Sequence, residues 1–150
     1  MSIYPCPAFI LPMTSGKNFD SLTQKQAYVL YFYPKDNTSG CTIETGDFRD
    51  FHKAFAQANC AIFGLSRDSI KSHENFKAKM QLPFELISDP DEIACEAFGV
   101  MKLKNMYGKQ VRGIERSTFI INVHGNIVKE YRGVKIPGHV EEVLAFVQTL

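Results

Sequence analysis

Every position from Tyr28 to Tyr33 is apolar or aromatic (Tyr-Val-Leu-Tyr-Phe-Tyr), and Pro34 closes the run, which predicts a strand buried on both faces. Beyond Cys41 the spacing changes. Phe48, Phe51, Phe55 and Ala58 recur every three or four residues among Asp47, Arg49, Asp50 and Lys53, so this segment is expected to be a helix with one apolar stripe. Cys60 to Ser66 returns to the buried-strand pattern, and Ser69 is placed to open a helix carrying Ile70, His73, Phe76 and Met80. Leu86 and Ile87 make a short strand stopped by Asp89-Pro90. Ile93, Ala94, Ala97 and Phe98 then have helical spacing and end on Gly99, where a helix C-terminus favours glycine.

The stretch from Met101 to Gly113 shows no clear period, whereas Ser117 to Val123 is again strongly apolar. His124-Gly125-Asn126 has turn composition, so Ile127 to Arg132 is expected to return antiparallel as a hairpin. After Pro137-Gly138, Val140, Val143, Leu144 and Val147 share one helix face. Strands alternating with helices, followed by a hairpin and a helix, predict an α/β fold with a mixed central sheet and helices on both faces. No internal repeat divides the chain, and 150 residues suit a single domain over 1–150.

Composition narrows the function. A 45% hydrophobic chain of this length builds a core without disulfides or a structural metal. Seventeen Lys and Arg against sixteen Asp and Glu leave a net charge of +1, without the basic excess that nucleic-acid binding requires. The sequence has no apolar run of about 18 residues and no charged-then-apolar leader at Met1, so neither a membrane span nor secretion is expected. A cytoplasmic location follows as the expectation. There the four cysteines, Cys6, Cys41, Cys60 and Cys95, would stay reduced, and no C-x-x-C pair marks a zinc ribbon or a dithiol centre.

One of the four has chemistry in its surroundings. Between the strand ending at Tyr33 and the next helix lies Pro-Lys-Asp-Asn-Thr-Ser-Gly-Cys-Thr-Ile-Glu, residues 34–44. This places Cys41 in the first turn of the helix, where unpaired backbone N–H groups and the positive end of the helix dipole favour thiolate over thiol. Gly40 permits a tight turn, Thr38 brings a hydroxyl three residues upstream, and Pro34 fixes the strand exit. Cys41 is therefore the candidate nucleophile.

The segment Tyr31 to Glu44, with its Pro-x-x-x-Thr-x-x-Cys spacing at Pro34, Thr38 and Cys41, resembles the active-site segment of the peroxiredoxins, and most closely the bacterioferritin comigratory protein (BCP)/PrxQ subfamily. The similarity extends through Pro7-Ala-Phe-Ile-Leu-Pro12, Gly64 to Ser69, Ser72-His73, Leu82-Pro-Phe84, Ser88-Asp-Pro90, Phe98-Gly-Val100 and Arg116 to Ile121. The resemblance implies a thioredoxin-like fold and a thiol peroxidase that reduces hydrogen peroxide and organic hydroperoxides through a cysteine sulfenic acid. It makes Cys41 the peroxidatic thiolate, with Arg116, Thr38 and Pro34 around it and Glu44, Gly40 and Phe32 as further pocket residues. It implies no cofactor, and a monomer or weak homodimer.

The sequence departs from the family at the second thiol. Many relatives carry a resolving cysteine five residues after the first, here Gly46, and others carry it about 36 residues on, here Lys77. Cys60 and Cys95 sit in apolar patterns and read as small buried hydrophobes, which leaves Cys6 as the least implausible resolver. The expected cycle is of 1-Cys type, with thioredoxin or glutathione and glutaredoxin as the external reductant. A second departure is Ser39, where relatives usually carry proline. The alternatives are a thiol redox sensor and a dithiol-disulfide oxidoreductase on the same fold. No metal site is expected, since His52, His73, His124 and His139 share no ligand spacing with the cysteines and the His73-Glu74 start of an H-E-x-x-H motif fails at Lys77.

Overall fold

The computed structural model describes residues 3–150. In chain order it forms β1 (Tyr4–Pro5), β2 (Ile10–Met13), β3 (Lys17–Asp20), β4 (Ala27–Phe32), α1 (Ser39–Asp50), α2 (His52–Gln57), β5 (Cys60–Ser66), α3 (Ile70–Met80), β6 (Glu85–Ser88), α4 (Ile93–Ala97), β7 (Met101–Met106), β8 (Lys109–Ile114), β9 (Ser117–Ile121), β10 (Asn126–Arg132) and α5 (His139–Val147). Eight strands form one mixed sheet in the order β1-β10-β9-β4-β5-β6-β2-β3, while β7 and β8 pair only with each other. β4, β5 and β6 run parallel, and β9 closes antiparallel on β4.

Central β4 is apolar throughout because it has a core on each side. Val29, Tyr31 and, just past the strand, Tyr33 face a cluster built from Phe48 of α1, Phe55 of α2, Phe76 of α3 and Val140, Val143 and Val147 of α5. Tyr28, Leu30 and Phe32 face the other way, toward Phe9, Phe19, Ala94, Cys95 and Phe98. Strand periodicity of two produces this split. Helices thus cover both faces, with α4 on the second one, as expected for a thioredoxin-like α/β domain.

Local chemistry explains the boundaries. The Ser69 hydroxyl accepts from the Ser72 N–H and caps α3. Asp89 accepts from the Ile93 and Cys95 N–H groups at 2.7 and 2.9 Å, which starts α4 after the strand that Pro90 ends. The stripe through Phe48, Phe51 and Phe55 is split into two helices at Phe51, yet the Phe51 N–H still reaches the Asp47 carbonyl at 3.1 Å, so the stripe keeps its direction. Met101 to Gly113 folds largely as a hairpin turning at Tyr107-Gly108, both with positive φ (53° and 78°). The pattern hid it because it lies off the main sheet, most of its side chains face solvent, and tyrosine is an unusual first residue for such a turn.

Gly64 of β5 is required by its neighbours. A Cβ at Gly64 would lie 2.7 Å from the Tyr31 ring and 2.8 Å from Leu86 Cδ2, both fully buried. Gly64→Ala is expected to lower stability by about 1–3 kcal/mol through overpacking, read as a reduced urea midpoint at unchanged slope.

Candidate active site

The joint between β4 and α1 holds Cys41, the candidate nucleophile. Thr38 is the N-cap, with extended backbone (φ −79°, ψ 155°), and its carbonyl accepts the first helical bond from the Thr42 N–H at 2.9 Å. The N–H groups of Ser39, Gly40 and Cys41 therefore precede the first intrahelical bond and are free of helical acceptors. Cys41 is the third residue of the helix and is fully buried.

Arg116, between β8 and β9, closes over that thiol. Its Nη2 donates to Cys41 Sγ at 3.3 Å and its Nη1 to Glu44 Oε1 at 2.7 Å. Cys41 and Glu44 stand one helical turn apart on the same face, so a single guanidinium fork reaches both. Gly40 makes room for it, since a Cβ there would lie 3.2 Å from Ile136 Cδ1 and 3.3 Å from Arg116 Nη2. Burial opposes the charge on Arg116, but Glu44 and Cys41 outweigh it and hold the guanidinium pKa above its ordinary value. Thus Cys41, Arg116, Glu44 and Gly40 are brought together.

Glu44 is fully buried, and its Oε2 has no hydrogen-bond partner among the described residues. Burial pushes its pKa from the ordinary 4.5 up to about 7, although Arg116 pulls the other way. A carboxyl raised on folding contributes stability that is fully present below about 4.5 and lost as pH rises through about 7. Glu44→Gln removes that titration. Relative to wild type, its stability is expected to rise between pH 5 and pH 8, by at most about 3 kcal/mol, measured by urea unfolding across that range. Equal pH slopes for the two proteins would contradict it.

The remaining site residues divide. Pro34 is half-buried at the strand exit. Thr38 is exposed, and its hydroxyl donates to the Lys35 carbonyl at 2.8 Å, so in this state it braces the loop. Phe32 does not belong with Cys41. It turns into the opposite core, its ring centroid 5.1 Å from Phe98 and 5.6 Å from Phe119, because adjacent strand residues point to opposite faces and Tyr31 and Tyr33 take the Cys41 side. The expectation that Phe32 lines the pocket is corrected accordingly.

The other thiols stand apart from Cys41. Cys60 pairs with Ala27 at the start of the parallel β4–β5 ladder, about 16 Å along the strand from the end that leads to Cys41. Burial pushes its pKa up to about 12. Cys95 is fully buried in the opposite core, its thiol pKa raised by burial and by Asp89. Cys6 is half-buried on that same opposite side, 3.5 Å from the Tyr28 hydroxyl, and burial raises its pKa as well.

One constellation escaped the sequence reading. Among the described residues, Asp36, Asp68 and His73 bring potential metal-ligand atoms within 4.8 Å of one another. Their hydrogen bonds are already made, however. The near oxygen of Asp68 accepts from the Ser66 hydroxyl and the Asp36 N–H, and the two His73 nitrogens meet Asp36 and the Ile87 carbonyl. Such mutual satisfaction marks a structural network. The available signal was Asp36 itself, an acid in the loop before Cys41.

A thiol at a helix start beneath an arginine, on a thioredoxin-like sheet, defines the peroxiredoxin class of thiol peroxidase, and the chain belongs to it: the AhpC/TSA family model matches residues 4–130. Within that class it falls in the Bcp/PrxQ subfamily. It is 50% identical over 144 residues to Peroxiredoxin Bcp of Xanthomonas campestris pv. campestris, covering 94% of this chain and 90% of that one. It is 53% identical over 116 residues to Peroxiredoxin Bcp of Bacillus subtilis, covering 77% and 74%. A solved structure of a Xylella fastidiosa PrxQ mutant superposes with TM-score 0.91 at 43% identity, over 99% of this chain and 96% of that one. The chain is an oxidoreductase of the peroxiredoxin type, and no helix among the described residues is long and apolar enough to cross a membrane.

Proposed function

We propose that Cys41 is the peroxidatic nucleophile of a 1-Cys-type cycle acting on hydrogen peroxide and organic hydroperoxides. The observation that carries this reading is the Arg116 fork shared by Cys41 and Glu44 at the open end of α1. The Cys41 thiolate attacks one peroxide oxygen, an S–O bond forms as the O–O bond breaks, and the departing alkoxide or hydroxide takes a proton to leave as alcohol or water. Arg116 and the free N–H groups of the first turn stabilise charge on thiolate and departing oxygen. Thr38 releases the Lys35 carbonyl and offers its hydroxyl to the peroxide, while Pro34 shields the pocket. A Xanthomonas campestris relative has been solved in connection with alkyl peroxide reduction, which supports the organic hydroperoxide side of this range.

The sulfenic acid then needs two thiols from outside. One displaces water to give a mixed disulfide, and a second releases Cys41 and the oxidised reductant. Thioredoxin, or glutathione with glutaredoxin, fits this role in a reducing cytoplasm. Two solved Xanthomonas campestris peroxiredoxin Q structures are cysteine-to-serine mutants at positions 36 residues apart. Counted from Cys41, that spacing falls on Lys77, which donates to Glu85 at 2.7 Å and to Ser15 at 2.8 Å. The separation of Cys6, Cys60 and Cys95 from Cys41 supports the same conclusion. We propose further that the single domain acts as a monomer or weak homodimer.

Stopped-flow oxidation of Cys41 by hydrogen peroxide tests the reading. Reaction orders of magnitude faster than a free thiol is expected, and a rate like that of free cysteine would return Cys41 to a redox-sensor or packing role.

A further inference from the structure

The loop that delivers Thr38 and the first-turn N–H groups has a single buried anchor. Lys35, Asn37, Thr38 and Ser39 are exposed, whereas Asp36 is buried, and Asn37 adopts a left-handed φ of 64°. Every polar group of Asp36 that points inward is used. Its carboxylate accepts from the Tyr33 hydroxyl at 2.6 Å, from the Ser72 hydroxyl at 2.8 Å and bonds His73 Nδ1 at 2.8 Å. Its N–H donates to Asp68 at 2.9 Å. His73, fully buried, passes the connection on through Nε2 to the Ile87 carbonyl of β6 at 2.9 Å.

Cys41 is thus positioned from two sides. Arg116 approaches from the connection between β8 and β9, and the backbone that starts α1 is tied through Asp36 to α3, β5 and β6. We propose that Asp36, held by Tyr33, Ser72 and His73, is a positioning residue for peroxide reduction: it fixes the 34–38 loop so that the Thr38 hydroxyl and the free N–H groups meet the peroxide while Arg116 holds the sulfur. It touches no reacting atom. The inference rests on Cys41 being the nucleophile, and it adds that the peroxide geometry depends on a network on the far side of the loop. A shift of 1 Å in such an arrangement costs about 100-fold in rate. Loosening the loop misplaces the donors without removing the thiol, so it separates two reactions of one sulfur.

The test compares peroxide oxidation with iodoacetamide alkylation of Cys41, each followed by mass spectrometry of the Cys41 peptide. Alkylation needs only an accessible thiolate, whereas peroxide reduction also needs the oriented donors. In Asp36→Ala, peroxide oxidation is expected to slow at least about tenfold while alkylation stays equal or speeds up. In Asp36→Asn, which keeps an oxygen for Tyr33 and offers an amide to Ser72 and His73 Nδ1, both rates are expected within about threefold of wild type, since the hydrogen bonds can be remade. Asp36→Ala keeping its peroxide rate, both rates falling together in it, or Asp36→Asn falling as far as Asp36→Ala would each overturn the proposal. If Asp36→Ala does not fold, Ser72→Ala decides. It removes one donor from the surface side, and the ratio of peroxide to alkylation rates should drop about threefold or more, with an unchanged ratio overturning the proposal. Slow peroxide oxidation in wild type would instead strike at Cys41 itself, so the two failures are distinct.

Discussion

Cys41→Ser is expected to abolish peroxide turnover down to the uncatalysed background, with the fold intact. Serine is nearly isosteric in a site that is fully buried, and its hydroxyl still accepts from Arg116, so little packing is lost. What disappears is the thiolate, since an alcohol stays protonated at neutral pH and attacks the O–O bond poorly. The informative companion is the simultaneous replacement of Cys6, Cys60 and Cys95, which is expected to leave most turnover when an external thiol is supplied. Burial raises the pKa of each of these thiols, and none sits beside Cys41, so none is prepared to attack a sulfenic acid. Coupled peroxidase assays with thioredoxin, and with glutathione and glutaredoxin, would read both variants. Loss of most activity in the triple variant, together with a Cys41 disulfide to one of these three cysteines in the peroxide-oxidised wild type by mass spectrometry, would show that one of the three is a resolver and end the 1-Cys reading.

How far the sequence carries depends on whether a feature is local. Cys60 to Ser66 is read with the boundaries the structure shows because a parallel strand between two neighbours is apolar up to its last residue, with no alternating polar positions to blur it. The thiol at the start of α1 is equally legible, since strand, loop and helix are consecutive. Phe32 fails for the opposite reason. It is close to Cys41 in sequence, but facing is set by strand parity, and parity needs the exact register of β4 rather than its existence. β1, β2 and β3 stay hidden because strands of two to four residues, lying toward the two ends of the sheet, carry almost no periodic signal. The Asp36 network is the deepest omission: its members come from the loop before α1, the end of β5 and the turn after it, α3 and β6, and only the closed sheet brings them together.

Arg116→Met is expected to separate two roles that the arginine combines. Methionine fills much of the same volume without the charged fork, so Cys41 loses the cation at 3.3 Å and Glu44 loses the one side-chain donor it has among the described residues. Peroxide oxidation of Cys41 should slow by about 100- to 1,000-fold, the usual cost of removing one preorganised donor from developing charge. Stability should fall too, by up to about 3 kcal/mol at pH 8, because a buried carboxylate is left without its partner. That second loss has an escape. Glu44 already titrates near 7 with Arg116 present, and without the guanidinium its pKa moves higher still, so the variant regains stability as pH falls and the carboxyl takes up a proton. Combining Arg116→Met with Glu44→Gln removes the stranded charge and should restore stability at pH 8 while leaving the peroxide rate low. If the double variant recovers both, Arg116 serves only to neutralise Glu44, and the activation of Cys41 belongs to the helix start alone.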